Sequence, residues 1–229
     1  MRVIHLPEVD STNDCAKRML ADGETGLFWI RADTQTAGRG RLQRDWASAL
    51  GNLFCTGVIP TRTPPRDRHR HSFAAALAVR DILQGGGITG VEMKWPNDVL
   101  VNDRKIAGIL LESEGEHMVV GIGLNIDHHP TETRTPATHT AEFGWKPSVD
   151  EAFGALSYAV LHRFGQPWAR IHREWLVHAC CIGEEFRVKR GDESLLGTYE
   201  GLGDNGELLL RTRSGIVPVV SGDIQRLEG

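Results

Sequence analysis

The sequence predicts an α+β fold: a mixed or antiparallel sheet flanked by helices, followed by a small β-barrel. Three observations predict it. Apolar runs between residues 91 and 126 are joined by connections too short for a parallel crossover, which implies an antiparallel meander. Two segments carry apolar residues at helical spacing, Phe73, Ala76, Leu77, Val79 and Leu83 in one, Phe153, Leu156, Val160 and Phe164 in the other. After Gly183 the composition changes to short strands separated by turns.

In order, residues 2–6 read as a short strand. A helix then starts near Ser11, where Ser11-x-x-Asp14 resembles a capping box. Leu27–Ala32 is a buried strand that feeds a polar, glycine-containing loop at 33–46, and Leu53–Ile59 is the next strand. Ser72 is placed to cap the following helix, which Gly85-Gly86-Gly87 stops. Val91–Lys94, Val99–Val101 with Lys105–Leu111, and Met118–Ile126 form the meander. The stretch His128–Pro147 is too long and polar for a simple turn and reads as a binding lid or a disordered segment. Ser148-x-x-Glu151 caps a helix, and a second begins at Pro167 with Trp168 and Trp175 facing the core. The division falls at 1–182 and 183–229. The second unit has four strands, at 186–189, 195–200, 207–212 and 216–220, and is too small to bury much without leaning on the first.

A net charge of −4 argues against a general nucleic-acid binder, which carries a basic excess over a whole face. No run approaches the roughly 18 apolar residues of a membrane span, and the N-terminus lacks a signal-peptide core, so a cytoplasmic protein is expected. Cys15, Cys55, Cys180 and Cys181 form no CxxC pair and read as reduced thiols. Cys180 and Cys181 with His172 and His178 lack zinc-type spacing.

Chemistry concentrates in three places. The loop Thr34-Gln35-Thr36-Ala37-Gly38-Arg39-Gly40-Arg41, with Arg44 close behind, combines glycines that permit close approach with guanidinium forks that match carboxylate and phosphate oxygens. By itself it also fits a solvated basic loop or a nucleic-acid backbone contact. Lys94-Trp95-Pro96-Asn97-Asp98 sets a lysine, an amide and a carboxylate around a turn, and Lys105 opens the next strand. Gly108, Gly121 and Gly123 leave a sheet face bare, which reads as the bed of a flat small molecule.

Five segments in register carry a resemblance: Asp10-Ser11-Thr12-Asn13, Gln35 to Arg41, Lys94 to Asp98, Arg104 to Leu110, and Gly121-Ile122-Gly123-Leu124-Asn125. Together they resemble the bacterial biotin–protein ligases and span most of residues 10–126. The resemblance implies a catalytic domain related to class II aminoacyl-tRNA synthetases, an SH3-like C-terminal domain, and the short form without an N-terminal DNA-binding domain. It implies that biotin and ATP are the substrates, with magnesium held through the phosphates and Asp98 either a ligand of that ion or the acceptor of the incoming lysine's proton. It assigns biotin to Ser11, Thr12, Asn13, Gln35, Gly38, Arg39, Gly40, Arg41, Lys105 and Gly108. ATP falls to Arg39, Arg41, Arg44, Trp46, Lys94, Asn97, Asp98, Lys105 and Asn125, and catalysis to Arg41, Lys105 and Asp98. The implied acceptor is a lysine of a biotin carboxyl carrier protein of a carboxylase, the implied state a monomer or homodimer, and no DNA or membrane partner is implied. Two departures stand out. The family pattern G-R-G-R-x-G-R-x-W has Gln43 here in place of its third glycine, and residues 128–147 match only loosely. A lipoate–protein ligase of the same fold and a nucleic-acid-binding module using the arginine loop are the alternatives.

Overall fold

The computed structural model describes residues 1–227 except 132, 134, 191 and 192. Its first layer is a seven-stranded mixed sheet of β1 (Arg2–Val9), β2 (Phe28–Gln35), β3 (Leu53–Pro60), β4 (Val91–Lys94), β5 (Asp98–Val101), β6 (Arg104–Glu114) and β7 (His117–Leu124). The strand order is β1-β2-β3-β7-β6-β5-β4. Only β1 and β2 pair in parallel, joined by the crossover helix α1 (Thr12–Ala21); the meander from β4 to β7 is antiparallel throughout.

Helices α2 (Arg70–Gly85) and α3 (Val149–Phe164) cover one face of this sheet, and α4 (Trp168–Val177) packs on α2. The main core lies between these layers. Phe73 meets Trp168 and Trp175 edge to face, at 5.6 and 5.2 Å between ring centroids. Truncating a fully buried tryptophan such as Trp175 typically costs about 3–5 kcal/mol. On the opposite face α1 packs on β2, β3 and β7, with Ala16 against Phe28, Ile30, Val58 and Val119, and its Asn13 and Lys17 reach Glu112 of β6. Among the described residues no further helix covers that face, and the cleft described below lies beside α1 over β5, β6 and the end of β7.

The second unit is a five-stranded antiparallel sheet of β8 (Glu185–Arg190), β9 (Glu193–Leu202), β10 (Leu208–Thr212), β11 (Gly215–Val219) and β12 (Asp223–Arg226), in the order β11-β10-β9-β8-β12. Its strand β12 is absent from the four-strand sequence reading, because Ile224 is its one apolar residue. The two units share one core: Phe186, Val188, Tyr199, Leu202, Leu208 and Leu210 belong to the same cluster as Phe73 and Trp175. Trp95 Nε1 donates to the Gly206 carbonyl across the boundary at 3.0 Å.

Three local expectations change. Ser11 does cap α1, accepting from the Asp14 N–H, but the Asp14 carboxylate turns to Arg39 instead of completing the box. Ser72 lies inside α2 and donates to the His69 carbonyl. A 3-10 turn at Pro65–Asp67 runs almost into the helix, and the N–H groups of His71 and Ser72 already bond to Arg68 and His69 carbonyls, so a side-chain cap is not needed there. Between 128 and 147 the described residues include several tied to the domain. Thr138 and Thr140 are fully buried, a 3-10 turn forms at Thr140–Phe143, and Ala137 bridges Lys105 in parallel. At its end Ser148 and Glu151 form the full capping box of α3.

Candidate active site

The cleft begins at the start of α1. Thr12 contributes its N–H and its hydroxyl to Gln35 Oε1, at 2.9 and 3.1 Å, and Gln35 Nε2 donates to Ser48 Oγ at 3.0 Å. The buried Thr56 hydroxyl lies 2.8 Å from the Thr12 hydroxyl and 2.7 Å from Asn13 Oδ1. Asn13 Nδ2 then donates to Glu112 Oε2 at 2.8 Å. Thr12, Asn13, Gln35, Ser48 and Thr56 thus form a wall of uncharged polar groups, backed by the Glu112 carboxylate, whose members fix one another's rotamers.

The 33–46 loop closes as a small hairpin. Arg39 and Asp45 bridge, the Gly40 N–H reaches the Arg44 carbonyl at 2.7 Å, and the Trp46 N–H reaches the Gly38 carbonyl at 2.8 Å. Its tip puts Leu42 at φ +55° and Gln43 at +56°, left-handed values that side chains resist. Gln43 thus stands where a glycine carries no penalty, which accounts for the glycine of the family pattern. Gly38 is buried behind the hairpin, where a Cβ would meet Ser48 Oγ at 2.6 Å, and it is the one expected binding residue that does not line the cleft.

The loop's Trp46 corrects one expectation. Its indole lies over Gly108 and Gly123, where a Cβ at Gly123 would come within 2.4 Å of the ring, and the Asn13 amide fills the space over Gly121. The bare sheet strip is therefore a bed for two of the protein's own side chains. Trp46 Nε1 is buried with no hydrogen-bond partner among the described residues.

Arg39 lines the cleft and is also tied to two carboxylates. Its Nε donates to Asp14 Oδ2 at 2.9 Å and its Nη2 to Glu112 Oε2 at 2.9 Å, while Lys17 reaches Glu112 Oε1 at 2.9 Å. The Arg39 guanidinium holds the Asp14 carboxyl below the usual range. Burial pushes Glu112 up, but hydrogen bonds from Asn13, Lys17 and Arg39 outweigh it and leave the group below its ordinary value. These partners raise Arg39 in turn.

Lys105 reaches the cleft through a β-bulge. Val99 pairs with Ala107 while Leu100 pairs with Lys105, so Ile106 is an extra residue on β6. Without it Lys105 and Gly108 would face opposite sides of the sheet. With it, Lys105 Nζ comes within 3.3 Å of the Cβ position of Gly108, lies 5.1 Å from the Trp46 ring centroid, and meets Asp98 Oδ1 at 2.7 Å. The Trp95-Pro96-Asn97 turn, which contains a cis Trp95–Pro96 bond, is pinned to β6 by Asn97 Nδ2 on the Ile109 carbonyl at 2.7 Å. Asn125 donates to the Thr138 carbonyl at 2.9 Å and so anchors the 128–147 segment against the site.

A cavity of about 400 Å³ joins these pieces. Ser11, Thr12, Asn13, Gln35, Arg39, Gly40, Arg41, Arg44, Trp46, Lys94, Asn97, Asp98, Lys105, Gly108 and Asn125 all line it. Sequence reasoning missed Thr56 and the carboxylates Asp14 and Glu112 that organise the wall, as well as Gly222 and Ile224 of the second unit, which close one end of the cavity. Glu112 had a signal: Gly108, Leu110 and Glu112 alternate along β6 and share a face. Trp145 packs against Gly86 beneath α2, away from this cavity, and holds no ligand position in it. No helix among the described residues is long and apolar enough to cross a membrane.

A cleft that gathers cations from two chain segments beside a neutral polar wall defines a class, an enzyme site for an acid and a phosphate compound. Comparison with known proteins narrows it. The Biotin/lipoate A/B protein ligase family model matches residues 6–127, and the Biotin protein ligase C terminal domain model matches 181–227. The chain is 35% identical to a biotin–[acetyl-CoA-carboxylase] ligase of Paracoccus denitrificans, over 92% of this chain and 94% of that protein. It is 31% identical to the ligase of that name from Mycobacterium tuberculosis, over 96% and 87%. In structure it matches the Aquifex aeolicus biotin protein ligase in complex with biotin and ATP, with TM-score 0.87, 26% identity and 100% and 99% coverage. A Leishmania major biotin protein ligase in complex with biotinyl-5-AMP matches with TM-score 0.67, 26% identity and coverage of 100% and 99%. The chain belongs to the biotin protein ligase family.

Proposed function

We propose that this chain activates biotin with ATP to biotinyl-5′-AMP and transfers the biotinyl group to a lysine of a carboxylase carrier domain. One observation carries the reading: Arg39 and Arg41 from the loop and Lys105 from β6 line the same cavity as the polar start of α1. The Thr12, Asn13 and Gln35 groups suit the ureido ring of biotin, a neutral donor–acceptor pair that needs no charge opposite it.

In the first step a biotin carboxylate oxygen attacks the α-phosphorus of ATP and pyrophosphate leaves. The approach brings like charges together, at about 4 kcal/mol per pair 4 Å apart at an effective dielectric of 20. Arg41 and Lys105 offset that repulsion, Lys105 being held in direction by Asp98. Arg39, bound to Asp14 and Glu112, fastens the loop to α1 and β6 over the reacting groups and keeps water from the mixed anhydride. Magnesium bound through the ATP phosphates supplies further positive charge. Asp98 and Asp45 are the described carboxylates lining the cavity, and oxygen donors of this kind fit the ion. With Asp98 Oδ1 engaged by Lys105, the second oxygen of Asp98 remains for it.

In the second step the carrier lysine amine attacks the acyl carbon, AMP leaves, and the nitrogen loses its proton. A free lysine has a pKa near 10.4, so a proton acceptor at the cleft helps; Asp98, which lines the cavity, takes that proton as the alternative to holding the ion. Incubating the protein with biotin, ATP, magnesium and a carrier domain, then weighing the domain, tests the reading. One biotinyl group per acceptor lysine is expected; an unmodified domain, or modification supported equally by lipoate, contradicts it.

A further inference from the structure

We propose that His129, His139 and Glu142 form a binding site for a zinc-type divalent cation, separate from the nucleotide's magnesium. The two Nδ1 atoms face each other at 2.8 Å, and each lies 3.3 Å from Glu142 Oε1. The imidazole rings stack with centroids 5.0 Å apart. Three lone-pair atoms thus converge on one point. A proton on one nitrogen leaves the other nitrogen and the carboxylate facing each other as two acceptors at 3.3 Å, whereas a cation serves all three.

The spacing fits such an ion. Zinc takes nitrogen and oxygen ligands at about 2.0–2.2 Å, which in a tetrahedron sets the donor atoms roughly 3.3 Å apart. An ion equidistant from these three atoms would sit roughly 1 Å out of their plane, leaving a fourth position open to water. Two imidazoles with one carboxylate select zinc or a neighbouring first-row ion over magnesium, which prefers oxygen alone.

Each ligand is held by its surroundings independently of any ion. Asn52 Oδ1 accepts the N–H groups of Ile126, Asp127 and His128 at 2.8, 3.0 and 3.2 Å, fixing the backbone that presents His129. His139 stands between Thr138 and Thr140, whose backbones bond to Asn125 and Lys105. Glu142 Oε2 accepts from Arg104 at 2.6 Å and from the Thr138 hydroxyl at 3.1 Å, which turns Oε1 toward the nitrogens. The ion would tie His129 to His139, and Pro130, Thr133, Thr135 and Ala137, which lie between them in sequence, line the cleft.

The test uses the full chain, stripped with a chelator and titrated with cobalt(II) and then zinc(II) alone. One cobalt per chain is expected, with the visible bands of a four-coordinate ion and without thiolate charge-transfer absorption, and zinc should displace it. His129→Ala and His139→Ala, read independently, should each weaken zinc binding by roughly 100-fold or more, with biotin binding retained as the check on folding. No metal uptake by the wild type overturns the proposal, as does uptake unchanged in either folded variant. Thiolate bands would assign the ion to Cys180 and Cys181 and overturn it too.

Discussion

Lys105 Nζ sits 2.7 Å from Asp98 Oδ1, and the pair exists only because an extra residue, Ile106, turns Lys105 to the cleft side of β6. A lysine stem is flexible, and fixing its ammonium beside Asp98 spares the reaction part of that ordering cost. Asp98→Asn should therefore slow biotin-dependent pyrophosphate release about tenfold, because the amide keeps the shape but not the charge that holds the ammonium. A wild-type rate of release would show that Asp98 does not position Lys105.

Glu112 and Asp14 both have carboxyls held below their ordinary values in the folded chain. Their contribution to stability is complete above the unfolded-state pKa values, 4.5 and 3.8, and is lost as pH falls through the lower folded-state values. Glu112→Gln should then cost about 1–2 kcal/mol at pH 7, kept modest by partial exposure. It should also flatten the fall in stability below pH 4.5. Urea unfolding at a series of pH values measures both, and a variant whose acid slope matches the wild type would contradict the assignment.

The left-handed tip at Leu42 and Gln43 carries a cost that glycine would not. Relief of about 1–2 kcal/mol, set against roughly 0.5–1 kcal/mol of added chain entropy, leaves a gain between zero and about 1.5 kcal/mol. Gln43→Gly should tighten biotin binding up to about tenfold by favouring the closed hairpin. Gln43→Val, branched at Cβ, should weaken it. Titration calorimetry reads both, and equal affinities in all three proteins would remove the loop tip from the account.

Gly123→Ala introduces a methyl that would come 2.4 Å from the Trp46 ring. The ring lies on the loop and can be displaced without opening the core. The substitution should lower ATP affinity at least about tenfold while thermal unfolding shifts by only a few degrees. Undiminished ATP binding would mean that Trp46 does not shape the site.

The order of helices and strands was largely legible, because the meander, the capping box at Ser148 and the glycine stop after α2 are local signals. The residues of the cleft were legible as motifs, and all but Gly38 line one cavity. What could not be read was long-range. Arg39 pairs with Asp14 and Glu112, 25 and 73 residues away, and the bulge at Ile106 reverses a face that alternation alone would assign to Lys105. The glycine strip was visible, but nothing local says that Trp46 and Asn13 fill it. Strand β12, with its one apolar residue, was hidden, and with it the share of the second unit in the cleft wall.

The most direct test of the central claim is biotin-dependent pyrophosphate release by Arg41→Ala and Lys105→Ala, each checked for native folding by circular dichroism. Cations that converge on the carboxylate and the α-phosphate should make each substitution slow the first step by about 100-fold or more. Wild-type rates from both folded variants would contradict the account.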